Sequence, residues 1–411
     1  MKTTISRKDG AAVLDTAIAA NRAGWAWVGL AASLVLIIIG AAAYATIMRQ
    51  GPLFANYTSY VSWGLVKSWY VYLVWLEAGT LITYSILANI MKNAQLKAIA
   101  PLVYLSGLML LIAAVITVFT DLGIIMDTGR LKNILNIFLR PNFSSMITWM
   151  VWMHVLYSAI VGAQLVVSIM EKKGMKAAAR LSTASGVLSV IAGVALVGII
   201  SAVFTAMSGF SAWKWGSLPI MFLLSSLVVG SAVLTLLYTV LSPDRHAPVH
   251  RATLQMLGRT TLMVITTAAI AGIGSAALQK TTAVAVYFSG ASNSGWAIAA
   301  GLAAPIILIL LLTQSAIQGP KERLVAGLAA ALMLISLRVI PYNIIINPQM
   351  SEPLPGLESA FLHERLSYVY SPSVAEIAIN ALPLGIALLG FVAGYWILHS
   401  ISPLKPAVEE A

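Results

Sequence analysis

The stretch YVSWGLVKSWYVYLVWLEAGT, Tyr60 to Thr80, reads as one aromatic-rich apolar helix into which two ionisable residues, Lys67 and Glu77, are set. An ionisable group inside a membrane helix costs a few kcal/mol, so it persists where it pairs, lines a water-filled space or carries protons. The rest of the chain decides whether this stretch crosses a bilayer. Hydrophobic residues fill 59% of the 411 positions and charged residues only 9%, and apolar runs of about 20 residues, enough to span hydrocarbon, recur along the sequence. The fold class is therefore all-α, a polytopic integral membrane protein.

Apolar runs place ten helices near 24–46, 61–90, 101–124, 146–170, 183–207, 217–241, 259–280, 295–318, 324–346 and 374–399. Sixteen of the 25 Lys and Arg residues fall in the N-terminus, the C-terminus and alternate connections, and seven fall in the other set. The remaining two, Lys67 and Arg338, lie inside helices. By the positive-inside rule the richer set is cytoplasmic, so both termini are expected inside, as in a prokaryotic cytoplasmic (inner) membrane protein. Residues 1–23 are polar for too long to form a signal peptide and read as a retained cytoplasmic segment. Residues 24–399 then form a single membrane domain, and 400–411 a cytoplasmic tail. The net charge of +11 has a membrane explanation in this distribution, and no nucleic-acid partner is expected. The longer outer connections, 121–144 and 347–373, place function or a docked partner on the outer face.

A faint repeat is visible. Trp63-Gly64 opens the second helix and Gly79 follows; Trp215-Gly216 opens the sixth and Gly230 follows. Two similar four-helix bundles, helices 2–5 and 6–9, flanked by helices 1 and 10, would account for it.

The chain has no cysteine, so it can hold no thiolate-bound iron–sulfur cluster, and any such cluster belongs to a partner. Transmembrane haem needs facing histidines, and His154 is the one histidine expected deep in the membrane. His399 sits at a helix end and the others in loops, so haem is not expected. No metal-ligand spacing and no phosphate-cradling glycine loop is present.

What remains is a thin set of polar groups at membrane depth. Taking 1.5 Å per residue, Lys67 lies about 9 Å, His154 about 12 Å and Glu77 about 24 Å below the outer helix ends. Lys67 either snorkels to the interface or serves a site. Arg338 and Glu376 read as a buried ion pair locking the last two helices, or as part of a proton path with Asn343. His154 either bridges helices or handles protons. Glu77 is too deep to snorkel, and a proton relay accounts for it best.

The ordered motifs resemble a known family. DTGRLKN (127–133) and RPNFSSMITW (140–149) look like the Asp-x-Gly-Arg and Asn-x-x-Ser elements of the NrfD family, membrane subunits of polysulfide reductase and related complexes. Trp63-Gly64 and GFSAWKWGSLPIMFLLSSLVVGSAVL (209–234) are similar to its helix 2 and helix 6 segments. RVIPYN (338–343) and YSPSVAE (370–376) resemble signatures of its ten-helix branch, which includes HybB-type and DsrP-type subunits. The sequence departs from the family's pattern at Leu131, where many relatives carry proline, and at Gln164, where some carry an acid.

The resemblance implies a cofactor-free, quinone-reactive subunit of a respiratory oxidoreductase. It would be docked to a ferredoxin-like iron–sulfur subunit and a catalytic subunit, and would exchange electrons with the menaquinone or other quinone pool. A quinone needs an apolar aromatic pocket, one or two hydrogen-bond partners and a proton source. Trp63, Lys67, Tyr70, Asp121, Asp127, Arg130, Ser145 and His154 supply these at the outer end of the first bundle, with Glu77 and His154 as the proton path. Helix-end capping and mutual pairing would also account for Asp127 and Arg130. Proton translocation is a further expectation. A secondary transporter and a purely structural anchor are the competing readings; a transporter should show Gly/Pro-broken helices at midplane, of which Pro219 and Pro305 give little sign.

Overall fold

The structure, a computed structural model, describes residues 7–121, 135–207, 209–210, 213–214, 216–242, 248–279, 303–308, 320–350, 356, 363 and 366–401. These residues are mostly helical, with no strand among them. Only helices can satisfy every backbone group within a single segment in lipid. The elements are α1 (Arg7–Gln50), α2 (Leu65–Tyr84), α3 (Ala100–Thr120), α4 (Met146–Lys172), α5 (Lys176–Thr205), α6 (Leu218–Leu241), α7 (Pro248–Gln279), α8 (Pro320–Ser336), α9 (Val339–Ile345), α10 (Val374–Ile379) and α11 (Ala381–Ile401). Nine spans among the described residues are long and apolar enough to cross a membrane, with α8–α9 and α10–α11 each counting as one. The chain is a multi-pass membrane protein. The expected helix at 295–318 lies outside the described residues except for 303–308, which are helical.

Several boundaries differ from those expected, for physical reasons. Helices α1, α5 and α7 begin at Arg7, Lys176 and Pro248, well before their apolar runs, because a helix continues past the hydrocarbon edge while hydropathy marks only the buried part. The expected helices 9 and 10 are each broken, at Leu337–Arg338 and at Asn380. Pro341 and Pro383 follow these breaks; each lacks an N–H and crowds the carbonyl four residues earlier. At its far end α2 widens into a π-helical turn, Ser85–Ile90.

α2 is the axis of the molecule, buried on almost every side. It packs on α3 and α5, α3 packs on α4, and α4 on α5, which closes the first four-helix bundle. α6 packs against α2 along its length and carries α7 and α8 on its other flank. Where α2 and α6 cross, a Cβ on Gly79 would strike the backbone of Ser226, and a Cβ on Gly230 would strike the backbone of Gly79 and Thr80. The repeat-related glycines therefore meet each other where the two helices cross. α1 and α11 pair and cover α3 from outside.

Because α2 and α6 run parallel, the molecule has a Trp63 end, where both begin, and an Asn89 end. The Lys97–Glu171 (3.0 Å) and Arg251–Glu322 (3.2 Å) bridges tie connections at the Asn89 end.

Candidate functional site

The Trp63 end is built around the first turn of α2, whose leading N–H groups have no partner within the helix. Gly64 caps that turn in an extended conformation (φ −93°, ψ −153°) without a side chain to do it. Glu376 of α10 supplies the acceptor instead: Leu65 N–H donates to its Oε1 at 2.7 Å and Val66 N–H at 3.4 Å. Tyr370 donates to Oε2 at 2.6 Å and accepts a second bond from Leu65 N–H at 2.8 Å. A Cβ at position 64 would fall 2.5 Å from that carboxylate and 2.6 Å from the Tyr370 hydroxyl, so the clamp requires glycine here. Burial, reinforced by the Glu376 charge, holds the Tyr370 hydroxyl well above the ordinary phenol range and keeps it a donor. Gln349 grips the preceding residue from both sides, accepting from Trp63 N–H at 3.1 Å and donating to Trp63 O at 2.9 Å.

The sequence suggests that Glu376 and Arg338 pair, and they do not. The Glu376 carboxylate is turned onto the α2 helix start, a favourable place for negative charge. The Arg338 guanidinium lies 4.9 Å over the Trp69 ring, an attraction of the cation–π kind. Asn343 is buried one turn into α9. Glu376→Ala should lower stability by about 1–3 kcal/mol, the cost of leaving buried donors unsatisfied. Combined with Tyr370→Phe it should be less than additive, because both serve the Leu65 N–H. Thermal unfolding of the purified protein measures both.

Above this clamp, two polar pairs line the side of α2 that faces the first bundle. Lys67 forms an ion pair with Asp121, the residue that ends α3, at 2.8 Å, with both side chains largely buried. Its ammonium also sits 5.5 Å from the Trp63 ring centre. Lys67 is therefore paired inside the protein and does not snorkel. One turn deeper, the Tyr70 hydroxyl lies 3.3 Å from His154 Nε2. His154 Nδ1 lies 2.8 Å from Met150 O. A carbonyl only accepts, so Nδ1 carries the hydrogen and Nε2 of the neutral ring accepts from Tyr70. Trp63 in turn stacks on Trp213 (5.5 Å, 25°) and meets Phe204 edge-on (5.5 Å).

Glu77 lies two turns below Tyr70 on the same helix face, about 10.5 Å along the axis. It is fully buried, and neither carboxylate oxygen has a hydrogen-bond partner among the described residues. Tyr157, one turn beyond His154 on α4, is fully buried opposite it. Ser145 takes the N-cap position of α4, but its side chain makes no capping bond. Asp127 and Arg130 lie outside the described residues.

The structure thus brings together Trp63, Lys67, Tyr70, Asp121 and His154, and leaves Glu77 deeper on the same face. Sequence reading missed Gln349, which follows a proline in an outer connection and carries no signal of its role. His250, expected in a loop, is in the first turn of α7, buried against Tyr238 at 3.2 Å. Among the described residues no three His, Cys, Asp or Glu side chains gather as metal ligands would.

The arrangement offers donors that can hold a carbonyl oxygen, flat aromatic faces beside them, and buried acid and imidazole groups that can move protons. A family model described as "Polysulphide reductase, NrfD" matches residues 54–351. The chain is also 22% identical over 395 residues, 87% of its own length and 90% of the relative's, to a subunit of the selenate reductase of Mesobacillus selenatarsenatis. The match to the family model covers α2 through α9 and includes the Trp63 end with its paired Lys67 and His154, so this chain belongs to the NrfD family.

Proposed function

We propose that this chain is the quinone-reactive membrane subunit of a multi-subunit respiratory oxidoreductase. It passes electrons between an iron–sulfur partner and the menaquinone or other quinone pool of a prokaryotic inner membrane. The observation that carries the reading is the convergence of Lys67–Asp121 and Tyr70–His154 beside Trp63, Phe204 and Trp213 at one end of the first bundle. The relative's designation as one subunit of a selenate reductase supports membership of a reductase complex. With no cysteine in the chain, clusters belong to a ferredoxin-like partner, and the catalytic centre to another polypeptide. The distribution of basic residues supports an outer-face position for the Trp63 end, where these partners would dock.

A quinone head group enters laterally from lipid and lies against the Trp63 face, with one carbonyl accepting from Lys67, or from Tyr70 once its hydroxyl turns away from His154. Two electrons from the partner and two protons convert quinone to quinol, and the reverse returns them. When Tyr70 gives its proton to the quinone, His154 Nε2 takes a proton from the Glu77 side and passes it to the Tyr70 oxygen, so the pair returns to its starting state and relays protons. Asp127, Arg130 and Ser145, from the adjoining segment, join the site on the motif resemblance. Glu77 links the site to the membrane interior, and proton translocation follows if its proton comes from the cytoplasm.

His154→Ala should slow quinone-coupled electron transfer on the order of 100-fold, the usual scale for a lost acid–base group, with the complex still assembled. Asp127→Asn should act in the same direction. Stopped-flow kinetics with a soluble quinol checks both. A structural anchor that never touches quinone would leave the rate unchanged.

A further inference from the structure

The aromatic face at the Trp63 end is held from the far half of the chain. Gln349 is buried in the short helical turn Asn347–Met350 that follows α9. Its carboxamide bonds Trp63 as a neighbouring strand would: Oε1 accepts from Trp63 N–H at 3.1 Å, and Nε2 donates to Trp63 O at 2.9 Å. The same Nε2 donates to Ile345 O at 2.7 Å, which ties the carboxamide to α9. Among the described residues no backbone hydrogen bond reaches Trp63, so this one side chain satisfies both of its main-chain groups. Two planar peptides meet at the Trp63 Cα. Holding the N–H of one and the carbonyl of the other fixes φ and ψ, and with them the direction in which Cβ leaves the chain.

From that Cβ the indole reaches its stack on Trp213, its edge contact with Phe204 and its place 5.5 Å from the Lys67 ammonium. Trp213 is fixed from the same stretch of chain. Its Nε1 donates to Ile344 O at 2.8 Å, one residue before the carbonyl that Gln349 holds. Residues Ile344 to Gln349 therefore anchor both indoles of the stack. An apolar side chain could fill the same buried space at 349, but only a carboxamide presents a donor and an acceptor side by side. An ionised glutamate accepts only, and would lose two of the three bonds. None of these bonds involves Lys67, Asp121, Tyr70 or His154.

We propose that Gln349 is a positioning residue for quinone binding: from the end of α9 it sets the plane of the Trp63 ring against which the head group lies. Ile344 O sets the Trp213 ring stacked on it. The use of the ring rests on the quinone reading; the hold of Gln349 on it does not. Binding and proton transfer are then served by different parts of the molecule. Loss of the Gln349 bonds tilts the aromatic face and leaves the Tyr70–His154 pair in place. Quinone is held less well in the ground and transition states alike, which raises KM and keeps kcat.

Gln349→Met keeps the length and burial of the side chain and removes all three bonds. In the intact complex, turning over a soluble quinol, it should raise KM about tenfold, the scale of one lost aromatic stacking contact, with kcat within about twofold of wild type. Trp63→Leu should raise KM to a similar extent, and the double variant no further, because Gln349 acts through the Trp63 ring. The near-ultraviolet circular dichroism change produced by Trp63→Leu should reappear in Gln349→Met, and it reports the ring with no quinone present. An unchanged KM in Gln349→Met, or effects that multiply in the double variant, overturns the proposal. If Gln349→Met does not assemble, Trp213→Phe keeps a ring in the stack and removes the bond to Ile344 O; it should raise KM likewise, and an unchanged KM there also overturns the proposal. A KM indifferent to Trp63→Leu, with the dichroism change present in Gln349→Met, would sink the quinone reading and leave the hold of Gln349 on the ring standing.

Discussion

Gly230→Val is expected to be the most damaging single substitution in the membrane domain. A side chain at this position meets the backbone of Gly79 and Thr80, not a flexible group that can move aside. The α2 and α6 axes would have to separate, and α2 is the helix on which both bundles are assembled. Overpacking of this kind costs on the order of 3 kcal/mol or more. In the membrane, where van der Waals contact between backbones is a main source of helix association, little replaces it. Gly198 is the control. It also lies inside a helix, but a Cβ there meets nothing within 4 Å. Gly198→Ala should be neutral or stabilising by up to about 1 kcal/mol, the helix-propensity gain. Thermal unfolding followed by size-exclusion in detergent should show a large loss for Gly230→Val and none for Gly198→Ala. Equal behaviour of the two would mean that α2 and α6 do not touch as described.

Glu77→Gln carries the largest expected functional effect. The substitution keeps size and burial but removes the one group on this stretch of α2 that can gain and lose a proton, so assembly should be preserved. Proton-coupled quinone turnover should fall on the order of 10- to 100-fold, and proton uptake measured in vesicles should fall with it. Because the carboxylate has no hydrogen-bond partner among the described residues, the amide breaks no protein hydrogen bond, and thermal unfolding of the variant separates a loss of stability from a loss of rate. Unchanged proton uptake in Glu77→Gln would remove Glu77 from the path.

Lys67 and Glu77 were legible in the sequence because an ionisable side chain in an apolar run has few explanations. The spans were legible for a similar reason, since 20 apolar residues leave little choice. The Gly79 and Gly230 repeat was visible as spacing, but only the structure shows that the two residues touch. The breaks before Pro341 and Pro383 follow from proline chemistry and were present in the sequence. The partner of Glu376 was not. Its carboxylate reaches Leu65, 311 positions away, and no local pattern distinguishes that from pairing with Arg338.

The central claim is that quinone reacts at the Trp63 end and exchanges electrons with a docked partner. It is tested most directly by purifying the native complex through this chain in mild detergent and following the partner's iron–sulfur signal after addition of a menaquinol analogue. The account predicts that a cysteine-rich partner co-purifies and that its clusters equilibrate with the quinol, about 100-fold more slowly in His154→Ala. Recovery of the chain alone in good yield, or clusters that respond to quinol equally fast in the variant, would contradict it.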